Sequence, residues 1–147
     1  MASETRARTL ICALVIALVA MQQANAAMTM EQIEKTAATL RNTCVSKVNA
    51  NMDTVLAIQK GEFPDDRSLK CYTHCIMKTI RTYKNGRVDE GMMLKQLDLM
   101  MPADIAVLMK ETTKICAAEP PTGDDCETTF NFVKCSYNND PDHFFFP

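Results

Sequence analysis

The sequence predicts an all-α domain of six helices stapled by disulfides, and three observations carry that prediction. Apolar residues recur at spacings of three and four along most of the chain, the mark of a buried helical stripe, and no convincing alternating strand pattern is present. Six cysteines, at 44, 71, 75, 116, 126 and 135, stand with 26, 3, 40, 9 and 8 residues between them. Ahead of them a basic and then apolar N-terminus reads as a secretory leader. That implies an oxidising compartment, where an even number of cysteines forms bridges.

The leader opens with Arg6 and Arg8 and continues through eleven apolar residues, Leu10–Ala20, a run too short to span a bilayer. Ala24-Asn25-Ala26 puts small residues where signal peptidase reads, so cleavage is expected after Ala26. Residues 1–26 are then a signal peptide that removes Cys12, and 27–147 form one mature domain of 121 residues. Loss of Glu4, Arg6 and Arg8 leaves 14 basic against 17 acidic residues. A mildly acidic surface without a basic run is unsuited to nucleic acid. No later stretch approaches membrane length, and no Asn-x-Ser/Thr sequon occurs.

A first helix is expected from Thr29, with Gln32 as its capping-box partner and Ile33, Ala37, Leu40, Cys44 and Val48 along one face. A short second helix, Asp53 to Lys60, ends at Gly61. After the turn at Phe63-Pro64-Asp65, Asp66 caps a third helix that runs to about Lys84 and stops at Asn85-Gly86. It carries Leu69, Tyr72, Ile76, Ile80 and Tyr83 on one side. Asp89 caps a fourth helix bearing Met92, Met93, Leu97 and Met100, with Gly91 weakening its start. Pro102 suits the first turn of a fifth, whose inward residues are Ile105, Leu108, Met109 and Cys116. Beyond the Pro120-Pro121-Thr122-Gly123 loop, Asp124 or Asp125 caps a sixth with Cys126, Phe130, Val133 and Tyr137 aligned. Residues 138–147 form a tail ending in Phe144-Phe145-Phe146-Pro147.

Cys71-x3-Cys75 with His74 between them resembles half of a zinc site. The remaining cysteines lack the paired, finger-like spacing that a structural metal requires, so no metal and no cofactor is expected. A bridge between Cys71 and Cys75 would join two points one turn apart on a rigid helix, so each is expected to reach a different helix. Counting alone leaves fifteen pairings open. Three long-range bridges would contribute about 2–4 kcal/mol each and make an interior cavity tolerable in so small a domain.

The spacing C-x26-C-x3-C-x40-C-x9-C-x8-C resembles that of the six-cysteine insect odorant- and pheromone-binding proteins, above all in its three- and eight-residue gaps. The start Met28-Thr29-Met30-Glu31-Gln32, the segment Cys71-Tyr72-Thr73-His74-Cys75 and the Phe146-Pro147 ending are most similar to the LUSH-type branch. The resemblance covers the whole mature chain. It implies six helices around an apolar cavity, with bridges Cys44–Cys75, Cys71–Cys126 and Cys116–Cys135. It also implies a secreted carrier that delivers odorants or pheromones through sensory lymph to an olfactory receptor or co-receptor, as a monomer or weak homodimer. Met77 stands where that branch often has a small hydroxyl residue, which implies a more apolar ligand than a small alcohol.

The residues support a cavity on their own. Nine methionines follow the leader, and Met92, Met93, Met100, Met101 and Met109 crowd into helices four and five, where flexible thioethers can line a plastic pocket. Three consecutive exposed phenylalanines would invite association unless the tail docks. In an extended tail Phe144 and Phe146 point one way and Phe145 the other. Thr82 is the leading polar handle, with Thr73 and Thr79 as alternatives. The candidate ligand contacts are Ile76, Met77, Ile80, Thr82, Met93, Leu97, Leu108, Met109, Val133, Phe144 and Phe146. His143, beside Asp140 and Asp142, is a candidate pH switch that loosens the tail as pH falls.

Catalysis is not expected. A secreted phospholipase would need adjacent cysteines before its histidine and a glycine-rich calcium loop, and no Gly-x-Ser-x-Gly elbow or P-loop occurs. Two other readings compete with an odorant carrier: transport of a non-olfactory apolar ligand, and a saposin-like or cytokine-like interaction module. A Cys44–Cys135 bridge would favour the saposin arrangement.

Overall fold

The computed structural model describes residues 28–147. The expected signal peptide and its cleavage point lie outside the described residues. Six α-helices form, α1 (Met30–Val48), α2 (Met52–Ala57), α3 (Arg67–Thr79), α4 (Glu90–Met100), α5 (Ala103–Ala117) and α6 (Asp125–Asn139), with a 3-10 turn, Ile58–Lys60, continuing α2.

The helix starts follow from local chemistry. Thr29 accepts from the Gln32 amide at 3.2 Å while the Gln32 side chain accepts from the Thr29 amide at 2.9 Å, which satisfies two donors that the first turn leaves free. Asn51, Asp66, Asp89 and Asp124 cap α2, α3, α4 and α6 in the same sense, each accepting from amides two or three residues on. Pro102 sits at the cap of α5, one residue ahead of its first turn. Gly61, at φ +79°, ends the 3-10 turn, and a Cβ there would lie 2.4 Å from the Tyr137 ring; close approach as well as backbone shape requires glycine.

One element departs from expectation. Helix α3 ends at Thr79 rather than near Lys84, and Tyr83–Lys84 pairs antiparallel with Arg87–Val88 in a two-stranded ribbon. Asn85 and Gly86, at φ +54° and +75°, supply the two positive-φ positions of a tight hairpin turn. Their signal is specific for a hairpin, and reading them only as a helix stop misses it.

Helix α3 packs most extensively on α6 and also on α1, while α5 packs on both α4 and α6. The main core joins Val55, Leu69, Tyr72, Ile76, Met77 and Phe130 with hairpin and α6 residues, and a smaller cluster gathers Ile33, Leu97, Met101 and Ala106. Disulfides Cys44–Cys75, Cys71–Cys126 and Cys116–Cys135 tie α1 to α3, α3 to α6 and α5 to α6, at Cα separations of 5.7, 4.5 and 5.7 Å. Cys44 does not meet Cys135, so the saposin arrangement is excluded. Helix α4 carries no bridge.

Candidate functional site

Where α4, α5 and α6 converge, each presents a stripe at helical spacing to a common space. Met93, Gln96, Leu97 and Met100 face it from α4, with Met101 just beyond. Met109, Thr112 and Thr113 face it from α5, and Phe132, Val133 and Ser136 from α6. Leu40 of α1, Ile80 at the end of α3, and Asp140 and His143–Pro147 complete the wall around a cavity of about 120 Å³. Its lining draws on both core clusters, so the space lies at their junction.

The tail closes one side. Phe144 and Phe146 pack on the main core and Phe145 on the smaller cluster, the alternation of an extended chain laid between two apolar surfaces. Phe144 meets Tyr137 edge-on at 5.2 Å between centroids, and Phe146 meets Tyr72 at 6.3 Å. The Gln59 side chain donates to the Phe146 carbonyl, and the Tyr72 hydroxyl donates to the Pro147 carbonyl. Burial pushes the Tyr72 pKa well up, so the phenol keeps the proton it donates. His143 Nδ1 lies 2.9 Å from Asp140 Oδ1 and 3.1 Å from Oδ2.

Of the sequence-predicted contacts, Ile80, Met93, Leu97, Met109, Val133, Phe144 and Phe146 line the cavity, as does His143. Four do not. Ile76 and Met77 are fully buried in the main core, where the face of α3 that carries them is occupied by packing. Thr82 is also fully buried, and its hydroxyl donates to the Met77 carbonyl at 3.2 Å, closing the start of the hairpin. Leu108 is 44% exposed, because one residue's step around α5 from Met109 carries it to the outer face. The alternative handles Thr73 and Thr79 bond the carbonyls of Lys70 and Cys75. Sequence reasoning missed Gln96, Thr112, Thr113, Ser136 and Asp140. Stepping three or four residues from Met93, Met109 and Val133 reaches most of them, but polar residues on such a stripe read as solvated. Phe132, Phe145, Pro147 and Leu40 were missed as well.

His143 thus stands against the Asp140 carboxylate at the start of the tail, with its neighbours Phe144 to Pro147 on the cavity wall.

His74 behaves differently. Cys71 and Cys75 beside it are consumed by bridges, its ring stands edge-on to Tyr83 at 5.0 Å, and its buried Nδ1 has no hydrogen-bond partner among the described residues. Burial holds its pKa below the usual 6.5; Lys78 adds to the depression, while Asp125 and Asp124 oppose it. The folded chain therefore takes up this proton less readily than the unfolded chain. Stability contributed by neutral His74 is present above the ordinary histidine value and is lost as pH falls through it. Thermal melting at pH 7.5 and 5.0 is expected to show a drop in acid that shrinks in His74→Gln; an equal drop in both proteins would remove His74 as its source.

A model of the PBP/GOBP family matches residues 26–139. General odorant-binding protein 72 of Anopheles gambiae is 32% identical over 120 residues, spanning 81% of this chain and 98% of that protein. Among solved structures, odorant binding protein 5 of Apis mellifera superposes with a TM-score of 0.79 at 44% identity, covering 83% of this chain and 100% of that one. Odorant binding protein 7 of Anopheles gambiae, with four disulfide bridges and in complex with an azo compound, gives a TM-score of 0.65 at 25% identity, over 76% and 89% of the two chains.

Proposed function

This chain belongs to the PBP/GOBP family, and from that premise we propose that it is a secreted carrier that reversibly binds a small, mostly apolar odorant or pheromone. The observation that carries the reading is the cavity of about 120 Å³, walled chiefly by methionine, leucine and phenylalanine and covered by the docked tail. A void of that kind is expensive to leave empty and suits an apolar guest, since a dry engineered cavity of roughly 150 Å³ takes up benzene. Methionines on α4 and α5 can repack around guests of different outline.

Binding on this reading is sequestration: the ligand leaves water, makes van der Waals contacts and is released unchanged. No covalent step is involved. We place the ligand-bound protein in sensory lymph after removal of residues 1–26, with delivery to a membrane receptor as its destination.

A competitive displacement assay tests the proposal. A fluorescent apolar probe is bound to the disulfide-intact protein and challenged with alcohols, esters, aldehydes and aromatics. Saturable displacement by at least one class is expected, and compounds near benzene in size are favoured while the tail keeps its position. Failure of every class to displace a bound probe would sink the carrier reading.

A further inference from the structure

Five threonines are buried among the described residues: Thr73, Thr82, Thr113, Thr128 and Thr129. Four have evident structural work. Thr73 and Thr129 bond each other at 3.0 Å and bond nearby helix carbonyls, Thr82 bonds the Met77 carbonyl, and Thr128 bonds Thr122. Thr113 is different. It is 6% exposed, lies on the stripe of α5 that lines the cavity, and makes no hydrogen bond among the described residues. Its oxygen keeps some accessible surface but has no carbonyl partner, whereas helical threonines usually bond a carbonyl one turn back. Thr36, Thr39, Thr43 and Thr79 in this chain do so.

The other polar groups on the wall are already occupied or wet. Ser136 donates to the Phe132 carbonyl at 2.9 Å, and the Asp140 carboxylate is engaged by His143. Gln96 and Thr112 are only half-buried, so solvent can satisfy them.

We propose that Thr113 is the residue that orients the ligand and sets its polarity, selecting a compact guest with one hydrogen-bonding oxygen over a hydrocarbon of the same outline. The assignment deepens the carrier reading and rests on it. A hydroxyl turns freely: it donates to a carbonyl oxygen and both donates to and accepts from an alcohol. A hydrocarbon in the same position leaves Thr113 unpartnered in an apolar space.

Two ligand pairs of matched shape separate this from general apolar binding: phenol with toluene, and cyclohexanone with methylenecyclohexane. Each is used to displace the same fluorescent probe from the wild type, Thr113→Val and Thr113→Ala. The readout is the ratio of dissociation constants within a pair, which cancels differences common to all three proteins. The hydrocarbon-to-oxygenate ratio is expected to fall about tenfold in both variants, the size of one hydrogen bond of about 1.4 kcal/mol. Toluene should bind the valine variant at least as well as the wild type, and this binding also reports that the variant is folded. If valine disturbs the packing, the alanine variant carries the comparison. Unchanged ratios in variants that still bind toluene would overturn the assignment and leave the carrier reading intact. Absence of displacement by all four compounds from the wild type would overturn both.

Discussion

Deleting residues 141–147 is expected to weaken binding of an apolar probe by about tenfold to a hundredfold, or about 1.4–2.7 kcal/mol. The truncation removes His143, Phe144, Phe145, Phe146 and Pro147 from the wall and leaves Phe132 of α6 in place. Two effects compete. Loss of the tail opens the cavity to water, and each phenylalanine withdrawn takes away apolar contact worth about 1.5–3 kcal/mol when fully made. Removal also enlarges the space, which would favour bulky guests. The contacts decide between them. Phe144, Phe145 and Phe146 pack on core surfaces to either side, and a cavity of about 120 Å³ remains with the tail in place. The tail therefore acts as wall rather than occupant. Displacement titrations of truncated and full-length protein decide the matter, and equal or tighter binding after truncation would show that the tail excludes ligand instead of enclosing it. Phe146 is 8% exposed and its carbonyl accepts from Gln59, so some loss of melting temperature should accompany truncation.

Replacing Cys71 and Cys126 together by serine is expected to destabilise the fold more than removing either other bridge, by about 4 kcal/mol against about 3 for Cys116 and Cys135. The order comes from chain length. Cys71–Cys126 closes 55 residues, Cys44–Cys75 closes 31 and Cys116–Cys135 closes 19, and a longer closed loop removes more freedom from the unfolded chain. The location argues the same way, since Cys71–Cys126 clamps α3 to α6, the most extensive helix pair of the fold. Unfolding free energies of the three double mutants from urea titrations, each taken as its own midpoint times its own slope, provide the measurement. A largest loss at Cys116–Cys135 would show that native-state packing around the bridge outweighs loop closure. Helix α4 lies outside this network, so the methionine-bearing wall is held by packing and can adjust where the rest cannot.

Much of this architecture was legible before any tertiary information. Capping chemistry at Thr29, Asp66, Asp89 and Asp124 is local, a side chain reaching an amide two or three residues away, and the helices begin there. The Asn85-Gly86 signal is equally local, but the apolar stripe through Ile80 and Tyr83 fits a longer α3 as well as it fits the hairpin. A helical stripe and a short ribbon can place the same residues inward. The cavity was partly legible for the same reason. Met93 and Leu97, Met109, and Val133 stand on stripes that converge, whereas Ile76 and Met77 lie on an equally apolar stripe whose neighbour is solid core.

By itself, the sequence determined what depends on neighbours along the chain: the caps, the helical period, the alternation of the phenylalanine tail, and the spacing of the six cysteines from 44 to 135. Only the tertiary structure decided which stripe met empty space and which met another side chain. It turned Leu108 outward while its neighbour Met109 turned in, and among the described residues it gave Thr82 a carbonyl partner and Thr113 none. The physical reason is that a period states which residues share a face, while the angle and distance at which two faces meet are set by helices far apart in the chain.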